Sequence, residues 1–504
     1  MANPNDFFVK VPKIRPMLNV GSMFDIQSGS YHVGEYGEHI LNGGYPHFLG
    51  VCGRANTYKT TVMNYFNLSA LSRYGDVHNK ANQQSLYLVY DSESSLSPAR
   101  IEHLGEFFPG LSGWDVDDSG AVMVTDNNGM SGNQYFHQLK AYAKEKVKDK
   151  KGTVTTPFIN ASGKNLPMLR PTMAGIDSIS NMSIDSVDLI YDKNQVGDSK
   201  MNMEAARIGA AKSQMVIQIP KLVSNHGIFL TVTAHLGDEI LDDPYAPSKK
   251  KLQFLKQGTK LKRCPENFTF LTNILFNCLS ASPLFNKADK TPLYPRDGDD
   301  RTPGDMDLQL ITIQVLRSKS GATGLPFEII ASQRDGMLMG LSEFHYIKEK
   351  KFGLEGNDRN YALSIYPDRT LGRTTVRGLI DQDPKLKRAL EITCELCMIS
   401  TLWKSMGDVV LSPEYLYKAI NDLGISWDTI LNDTRGYWLP KELEAVEEKR
   451  FLSTIDLCRL ARKEYYPYWW DAYCKEKGIE NKLKDMFSKG CLLYTSDAAD
   501  DGLC

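Results

Sequence analysis

Hydrophobic and polar positions alternate along the first half of the chain in a pattern that predicts strands followed by helices. Short apolar runs at 48–51, 86–90, 122–125, 173–176 and 228–234 are typical of strands. Helical spacing of apolar residues predicts helices at 62–71, from about 97–98, from about 135 into the basic run 144–151, and at 203–223. Because strands alternate with helices, we expect an α/β protein with a mainly parallel central sheet flanked by helices.

The pattern changes on both sides of this region. Residues 1–40 have a loop-like pattern and form an N-terminal segment that is a candidate subunit contact, and 41–349 form the predicted core, with insertions near 152–170 and 237–307. Alternating runs at 308–316 and 327–331 predict a hairpin around the long turn 317–321. Helix-like segments from 350 to 490 predict a mostly helical C-terminal domain. No internal repeat is apparent, which argues against solenoids and propellers.

Composition narrows the class of protein. The chain has 504 residues, 42% of them hydrophobic, with 59 Lys+Arg against 61 Asp+Glu. These values exclude a disordered chain, a collagen and a uniformly basic nucleic-acid coat, but they allow a local basic groove. The nine cysteines are odd in number and scattered, without a signal peptide, so we expect a reducing, cytoplasmic location. No apolar run approaches the roughly 18 residues that cross a bilayer, so no membrane partner is expected.

We interpret the last 14 residues as a segment that does not belong to the natural protein. The segment 491–504 resembles the conceptual translation of a transposase sequencing adapter, so we expect it not to be biological and the true C-terminus to be missing. Removing it takes away three aspartates, which changes Asp+Glu from 61 to 58 and the formal net charge from -2 to +1. The cysteines then fall from nine to seven.

A candidate phosphate-binding loop follows the first predicted strand. Its residues are Gly53, Arg54, Ala55, Asn56, Thr57, Tyr58, Lys59, Thr60 and Thr61. They fit the pattern G-x-x-x-x-G-K-[ST], except that Tyr58 stands at the second glycine. Backbone N–H groups at a helix N-terminus bind phosphates, a lysine neutralises them and a hydroxyl ligates Mg²⁺. A chance match in a loop is the alternative, and the strand before and the helix after favour the phosphate loop.

Three further residues stand at predicted strand ends. Asp177 is a candidate magnesium ligand, or else a turn or helix-capping aspartate. Glu93 is a candidate base for an attacking water, or else a solvated glutamate in a first helical turn. His235 is a candidate sensor of a γ-phosphate, or else a histidine at the rim of the core. Because ligands collect at the carboxyl ends of parallel strands, we expect these residues to lie together.

Two features of the C-terminal region resemble functional sites but are more simply explained as parts of the structure. The pair Cys394 and Cys397 has no second pair at zinc-site spacing, which argues against a metal or redox site. The aromatic cluster 465–470 could stack on bases, although such clusters are more often the core of a small domain or a subunit contact.

Three groups of residues between about 26 and 331 carry a family resemblance: 28–30 through 41–44 into the phosphate loop, 90–93 with Pro98 shortly after, and 197–201 followed by 205–207. Together they resemble the RecA-type recombinases, and most closely the UvsX-like recombinases of tailed phages. The phage branch also tolerates an aromatic residue before the loop lysine, as at Tyr58. The resemblance implies a RecA-like P-loop ATPase core.

The resemblance also implies roles for single residues. Residues 53–61 would bind ATP, with Thr60 and Asp177 on Mg²⁺ and Glu93 as the catalytic base. His235 stands in the slot of a glutamine that senses the γ-phosphate. Arg317 and Lys319 match a basic pair that enters the ATP site of the neighbouring subunit, although from the residues alone an exposed hairpin is the simpler interpretation.

The function implied is that of a DNA-dependent ATPase that forms filaments on single-stranded DNA. Such a recombinase pairs the filament with homologous double-stranded DNA and exchanges strands in phage recombination, repair and recombination-dependent replication. By chain order the two DNA-binding loops fall at 183–203 and 237–263, and the second is basic. Phage mediator and single-strand-binding proteins are further expected partners, in the cytoplasm of the host cell.

Two other functions stay open at this point. A hexameric replicative helicase with the same fold would use the same Lys59, Thr60, Asp177 and Glu93. A non-hydrolysing DNA-binding scaffold or mediator would keep the fold without turnover, as Tyr58 in a glycine position suggests.

Overall fold

The computed structural model describes residues 14–77, 84–185, 204–239, 252–297, 301–403 and 409–488, with the single positions 12, 189 and 406. The strands are β1 Ser30–Val33, β2 His39–Asn42, β3 Phe48–Gly53, β4 Tyr87–Asp91, β5 Val122–Asp126, β6 Thr153–Ile159, β7 Asn165–Leu169, β8 Thr172–Asp177, β9 Ile228–Asp238, β10 Thr259–Leu261, β11 Ile274–Pro283, β12 Leu308–Ser318, β13 Pro326–Ser332, β14 Gly336–Met337, β15 Leu354–Glu355, β16 Tyr361–Leu363, β17 Tyr366–Leu371, β18 Thr434–Arg435 and β19 Arg450–Phe451. The helices are α1 Ser22–Ser28, α2 Lys59–Tyr74, α3 Pro98–Gly105, α4 Val116–Ser119, α5 Gly132–Lys148, α6 Glu204–Ser224, α7 Asn267–Leu271, α8 Met339–Lys350, α9 Val376–Gln382, α10 Pro384–Leu402, α11 Pro413–Asp422, α12 Trp427–Asp433, α13 Lys441–Glu444, α14 Thr454–Ala461, α15 Trp470–Lys477 and α16 Lys482–Ser488.

One large sheet organises the first two thirds of the chain. Its strand order is β14-β13-β12-β11-β3-β9-β8-β4-β5, and β10 pairs with the end of β9. The six strands from β11 to β5 in this order run parallel to their neighbours. Strands β12 to β14 continue the sheet in antiparallel fashion. The predicted α/β class with a mainly parallel central sheet and many helices is confirmed.

Both faces of the central strands are buried, which explains their continuous apolar runs. In β3, Leu49 and Val51 pack into one hydrophobic cluster, whereas Phe48 and Cys52 pack into the other. The first cluster contains residues of α1 and α2, and the second contains residues of α5 and α6. This alternation is the period-two pattern of a strand covered on both sides by helices.

Local sequence signals explain where two helices begin. Helix α3 starts at Pro98, as the sequence predicted, and the side chain of Ser97 before it accepts a hydrogen bond from the amide of Arg100. Helix α5 begins after Ser131, which forms a reciprocal capping box with Gln134. Both helices follow strands of the sheet, so their caps fix the direction in which the chain returns.

The prediction that residues 1–40 are loop-like is wrong for 22–28, 30–33 and 39–40, which lie in α1, β1 and β2. Helix α1 is buried along its whole length, and the ring of Phe24 packs against those of Phe66, Phe276 and Phe327. Strands β1 and β2 then form an antiparallel hairpin. A seven-residue helix is too short to show a clear 3.6-residue period, and here the burial comes from tertiary packing.

Both predicted insertions contain regular elements. The segment near 152–170 is the hairpin β6–β7, with Phe158 fully buried. The segment 237–307 contains β11, which lies between β3 and β12 in the sheet. Its pattern was missed because only Ile274-Leu275-Phe276 form an apolar run before polar residues follow. Strand β9 does not end at His235 but continues to Asp238, because β10 pairs with its last residues.

The region after 350 is mostly helical and packs into the same hydrophobic cluster as β11–β13 and α1. The indole of Trp438 donates a hydrogen bond to the carbonyl of Met17 at 3.0 Å. Tyr465, Trp469 and Trp470 of the aromatic cluster 465–470 are buried, which agrees with a core role. No helix in the described part of the chain has the length and apolar character needed to cross a membrane.

Candidate functional site

The predicted phosphate loop connects β3 to α2, and its backbone conformation is specific. Asn56 and Tyr58 both have positive φ angles, 58° and 65°. A Cβ atom on Gly53 would lie 2.4 Å from Thr57 Oγ1 and 2.9 Å from the carbonyl oxygen of Cys278, so the close packing requires glycine. Tyr58 occupies the left-handed position at which the pattern has its second glycine, and its ring is half-buried against the core beside α2.

Lys59 is the first residue of α2 and is largely buried. Its ammonium donates to the carbonyl oxygen of Arg54 at 2.7 Å, so the side chain folds over its own loop. Burial lowers the pKa of Lys59, while the charges of nearby groups, including Asp177 and Glu93, act in the opposite direction. A desolvated cation inside a loop of backbone amides is suited to bind a phosphate.

Asp177 lies at the end of β8 between two hydroxyl groups. One carboxylate oxygen accepts a hydrogen bond from Thr60 Oγ1 and the other accepts one from Thr233 Oγ1. Burial raises the pKa of Asp177, and the two hydroxyl hydrogen bonds oppose that rise. The Thr60 hydroxyl and the Asp177 carboxylate are the hard oxygen ligands that Mg²⁺ prefers, so these residues fit a magnesium site.

Glu93, His235 and Asn181 meet next to this cluster. Glu93 Oε1 lies 2.8 Å from His235 Nε2 and accepts a hydrogen bond from Asn181 Nδ2 at 2.9 Å. The side chains of Glu93 and His235 are 41% and 24% exposed, so both reach solvent at the rim. The candidate base and the candidate sensor are therefore direct partners in this structure.

Asp91 fixes the turn that carries Glu93. This carboxylate, at the end of β4, accepts hydrogen bonds from the amides of Glu93 at 2.9 Å and Leu96 at 2.6 Å. Ser92 links the same turn to β8, because its amide donates to the carbonyl of Asp177 at 2.6 Å. The position of Glu93 relative to Asp177 is therefore set by hydrogen bonds rather than by a free loop.

The strand register brings these residues to one edge of the sheet. Asp91 pairs with Asp177 between β4 and β8, and Gly53 pairs with His235 between β3 and β9. Strands β8 and β9 are themselves neighbours. The four strand ends predicted from the sequence thus lie side by side, as expected for the carboxyl edge of a parallel sheet.

Sequence reasoning missed Thr233, Asn181 and Asp91 as parts of this site. Thr233 and Asn181 act through strands that are distant in sequence, so only the strand order reveals them. Asp91 stands inside the stretch 90–93, and its position at a strand end beside Glu93 was an available signal.

Arg317 and Lys319 do not join this cluster. Arg317 is level with Gly50 across β11, and the amide of Lys319 donates to Asn273, whose own amide donates to Phe48. At about 3.3 Å per residue, Lys319 lies roughly 17 Å along β3 from Gly53, at the amino edge of the sheet. The guanidinium of Arg317 stands 5.5 Å from the centroid of the exposed Phe270 ring.

The two predicted DNA-binding loops lie partly outside the described residues. Of 183–203, the structure describes 183–185 and 189, and of 237–263 it describes 237–239 and 252–263. Four cations in the described part of the second loop are exposed: Lys256, Lys260, Lys262 and Arg263. They flank and include β10, next to the end of β9 and the carboxyl edge.

Other features contain none of the predicted site residues. Cys394 and Cys397 are free thiols buried in α10. Among the residues with described coordinates, no group of three His, Cys, Asp or Glu side chains is arranged to hold a metal. A groove of about 690 Å³ lies between β5 and α5.

The predicted tail 491–504 lies outside the described residues.

The fold and these contacts define an α/β protein with a phosphate-loop-like connection and acidic and basic side chains at the carboxyl edge of its sheet. No protein-family model matches the sequence, and no curated protein matches it. Among solved structures, the crystal structure of the RadB recombinase aligns over 59% of this chain and 93% of that chain, with 13% identity and a TM-score of 0.32. A likeness at this TM-score establishes neither fold nor activity, so the architecture rests on the strand order above.

Proposed function

We propose that the protein is an ATP-dependent recombinase of the RecA type that assembles on single-stranded DNA and exchanges strands with a homologous duplex. The observation that supports this best is the meeting of Lys59 and Thr60 with Asp177 and of Glu93 with His235 along four neighbouring strands. This arrangement has a cation for phosphates, oxygen ligands for Mg²⁺, and a carboxylate for a water. These are the parts that hydrolysis of a nucleoside triphosphate requires.

In the proposed reaction, Lys59 and the amides of the loop hold the phosphates of ATP. Thr60 and Asp177 would hold Mg²⁺, which neutralises charge that develops on the phosphate oxygens. Glu93 accepts a proton from the attacking water, whose oxygen bonds to the γ-phosphorus as the bond to the bridging oxygen breaks. The products are ADP and inorganic phosphate.

His235 would respond to the bound nucleotide by changing its hydrogen-bond partner. Its Nε2 now faces Glu93, and a γ-phosphate oxygen is a competing partner for the same nitrogen. When His235 changes partner, Glu93 keeps Asn181 and is released towards the water. The backbone of His235 also contacts the residue after β10, because its carbonyl accepts a hydrogen bond from the amide of Lys262 at 2.8 Å.

Arg317 and Lys319 support an assembly in which one subunit completes the site of the next. Lys319 lies at the amino edge of the sheet and Arg317 is level with Gly50, three residues before Gly53, so neither joins the Lys59 cluster of its own chain. A cation that arrives from a neighbour at the γ-phosphate stabilises the transition state, typically by about 10³-fold or more. Repeated head-to-tail contacts of this kind produce a filament or a ring.

The trans arrangement is tested by mixing two inactive variants. Lys59→Ala lacks a functional phosphate loop and Arg317→Ala lacks the trans cation, so each alone is expected to lose at least about 10²-fold in DNA-stimulated hydrolysis. In a mixture, an Arg317→Ala subunit with an intact loop faces the intact Arg317 of a Lys59→Ala neighbour, and hydrolysis is expected to return in part. A mixture as inactive as its components contradicts the trans assignment.

Two measurements separate the alternative functions. Electron microscopy with single-stranded DNA and a non-hydrolysable ATP analogue is expected to show open filaments, whereas closed rings would indicate a replicative helicase. DNA-stimulated hydrolysis is expected for the wild type and not for Lys59→Ala. Equal background rates for both would leave a DNA-binding scaffold.

A further inference from the structure

A buried lysine contacts both the residues that follow Asp177 and the end of the second predicted DNA-binding loop, 237–263. Lys212, on α6, is 2% exposed, and its ammonium donates to three carbonyl oxygens. They belong to Ile179 at 2.5 Å, Ser180 at 3.1 Å and Arg263 at 3.4 Å. An ammonium has three donors and no acceptor, so these carbonyls match its hydrogen-bonding capacity. Burial lowers the pKa of Lys212 to about 8.

Two of the three carbonyls belong to the segment that directly follows Asp177. The amide of Ile179 donates to the carbonyl of Thr233 at 3.0 Å, and Ser180 Oγ accepts a hydrogen bond from the amide of His235 at 3.0 Å. The next residue, Asn181, donates to Glu93. Lys212 therefore holds the short segment from which the partners of His235 and Glu93 arise.

The third carbonyl belongs to the last residue of the second predicted DNA-binding loop, 237–263. Arg263 follows β10, which pairs antiparallel with the end of β9. Lys262, beside it, accepts a hydrogen bond on its carbonyl from Ser180 Oγ at 2.8 Å. Helix α6, which carries Lys212, begins at Glu204, where the first predicted DNA-binding loop ends in the sequence. The ammonium of Lys212 thus lies on the helix that follows the first predicted loop and contacts the last residue of the second.

We propose that Lys212 is a positioning residue that couples DNA bound at the exposed cations of β10 to the Glu93–His235 pair. This role rests on the proposed function. A displacement of β10 or α6 moves the ammonium, and the ammonium moves the carbonyls of Ile179 and Ser180. Those residues lead directly to Asn181, which holds Glu93. Coupling between two binding sites is reciprocal, so nucleotide at the carboxyl edge also changes the affinity for DNA.

The chain provides a matched control in Lys146. This lysine is 3% exposed, and burial lowers its pKa well below the ordinary value. Its ammonium donates to the carbonyls of Arg170 at 2.5 Å and Gly227 at 3.1 Å and to Thr172 Oγ1 at 2.8 Å. Those acceptors lie at the amino ends of β8 and β9, at the opposite edge from the site. Like Lys212, Lys146 is a buried lysine whose ammonium has three oxygen acceptors, but none of its acceptors belongs to residues 179–181 or to Glu93.

The test compares Lys212→Met with Lys146→Met. ATP hydrolysis is measured with and without a single-stranded oligonucleotide, and oligonucleotide affinity is measured with and without adenylyl-imidodiphosphate. Two ratios result: the stimulation of hydrolysis by the oligonucleotide, and the change in oligonucleotide affinity caused by the nucleotide analogue. Lys146→Met is expected to keep the wild-type value of both ratios. In Lys212→Met each ratio is expected to fall by about tenfold or more, within the usual range of coupling between sites.

The result that would overturn the coupling role is a Lys212→Met protein with both wild-type ratios. If Lys212→Met does not fold, as judged by its urea transition, Lys212→Gln retains amide donors for two of the carbonyls. Lys212→Gln is then expected to show reduced ratios, and wild-type ratios would again overturn the role. A wild-type protein that hydrolyses ATP without any response to DNA overturns the proposed function instead, and the coupling role with it.

Discussion

The backbone of the phosphate loop makes a quantitative prediction at Tyr58. With φ at 65°, this residue lies in the left-handed region, where an L side chain costs about 1–2 kcal/mol. Glycine avoids that cost but loses about 0.5–1 kcal/mol through the greater freedom of the unfolded chain. Tyr58→Gly should therefore be more stable than Tyr58→Ala by about 0.5–1 kcal/mol. The comparison of the two variants removes the tyrosine ring in both, so the lost packing cancels.

Urea unfolding of both variants measures this difference, and Lys144 provides the control. Lys144 is exposed and lies inside α5, before the last turn of the helix, where the backbone is right-handed. Lys144→Gly should be less stable than Lys144→Ala by about 1 kcal/mol, the opposite order. If Tyr58→Ala is the more stable of the pair at position 58, the loop does not hold the left-handed turn that cradles a phosphate. The reasoning about residues 53–61 would then fail.

Two further predictions concern the magnesium cluster and the stability of the sheet. Thr233→Val removes a hydrogen bond to Asp177 and should raise the Mg²⁺ concentration needed for half-maximal hydrolysis by about 10–100-fold, whereas Thr233→Ser should restore it. An unchanged Mg²⁺ requirement in Thr233→Val would remove Thr233 from the site. Burial lowers the pKa of His47 to about 4, so the stability that neutral His47 provides is fully present above pH ~6.5 and is lost as the pH falls towards 4. Relative to His47→Gln, the free energy of unfolding of the wild type should fall by up to about 3 kcal/mol between pH 7 and pH 4, as measured by urea unfolding at each pH. The same pH dependence of the free energy of unfolding in both proteins would contradict this.

Much of the candidate site could be predicted because it depends on chain order. Lys59, Asp177, Glu93 and His235 each follow an apolar run, and parallel strands bring such positions to one edge. Thr233 and Asn181 could not be predicted in the same way. Their roles depend on which strand lies beside which, and the sequence pattern does not specify neighbours.

The fold shows the same division between local and tertiary signals. Strands β3 and β8 are buried on both faces and therefore appear as apolar runs. Strand β11 shows only three apolar residues in a row, and its place between β3 and β12 comes from pairing with both. Helix α1 is similarly short, and its burial depends on rings from α2, β11 and β13. Tertiary packing decides both elements.

Strand exchange between a single-stranded circle and a homologous linear duplex tests the central claim most directly. With ATP and Mg²⁺, the wild type is expected to form joint molecules and release the displaced strand, and a heterologous duplex and Lys59→Ala are expected to form none. Strand separation that occurs equally with homologous and heterologous duplexes, or no product despite DNA-stimulated hydrolysis, would contradict a recombinase.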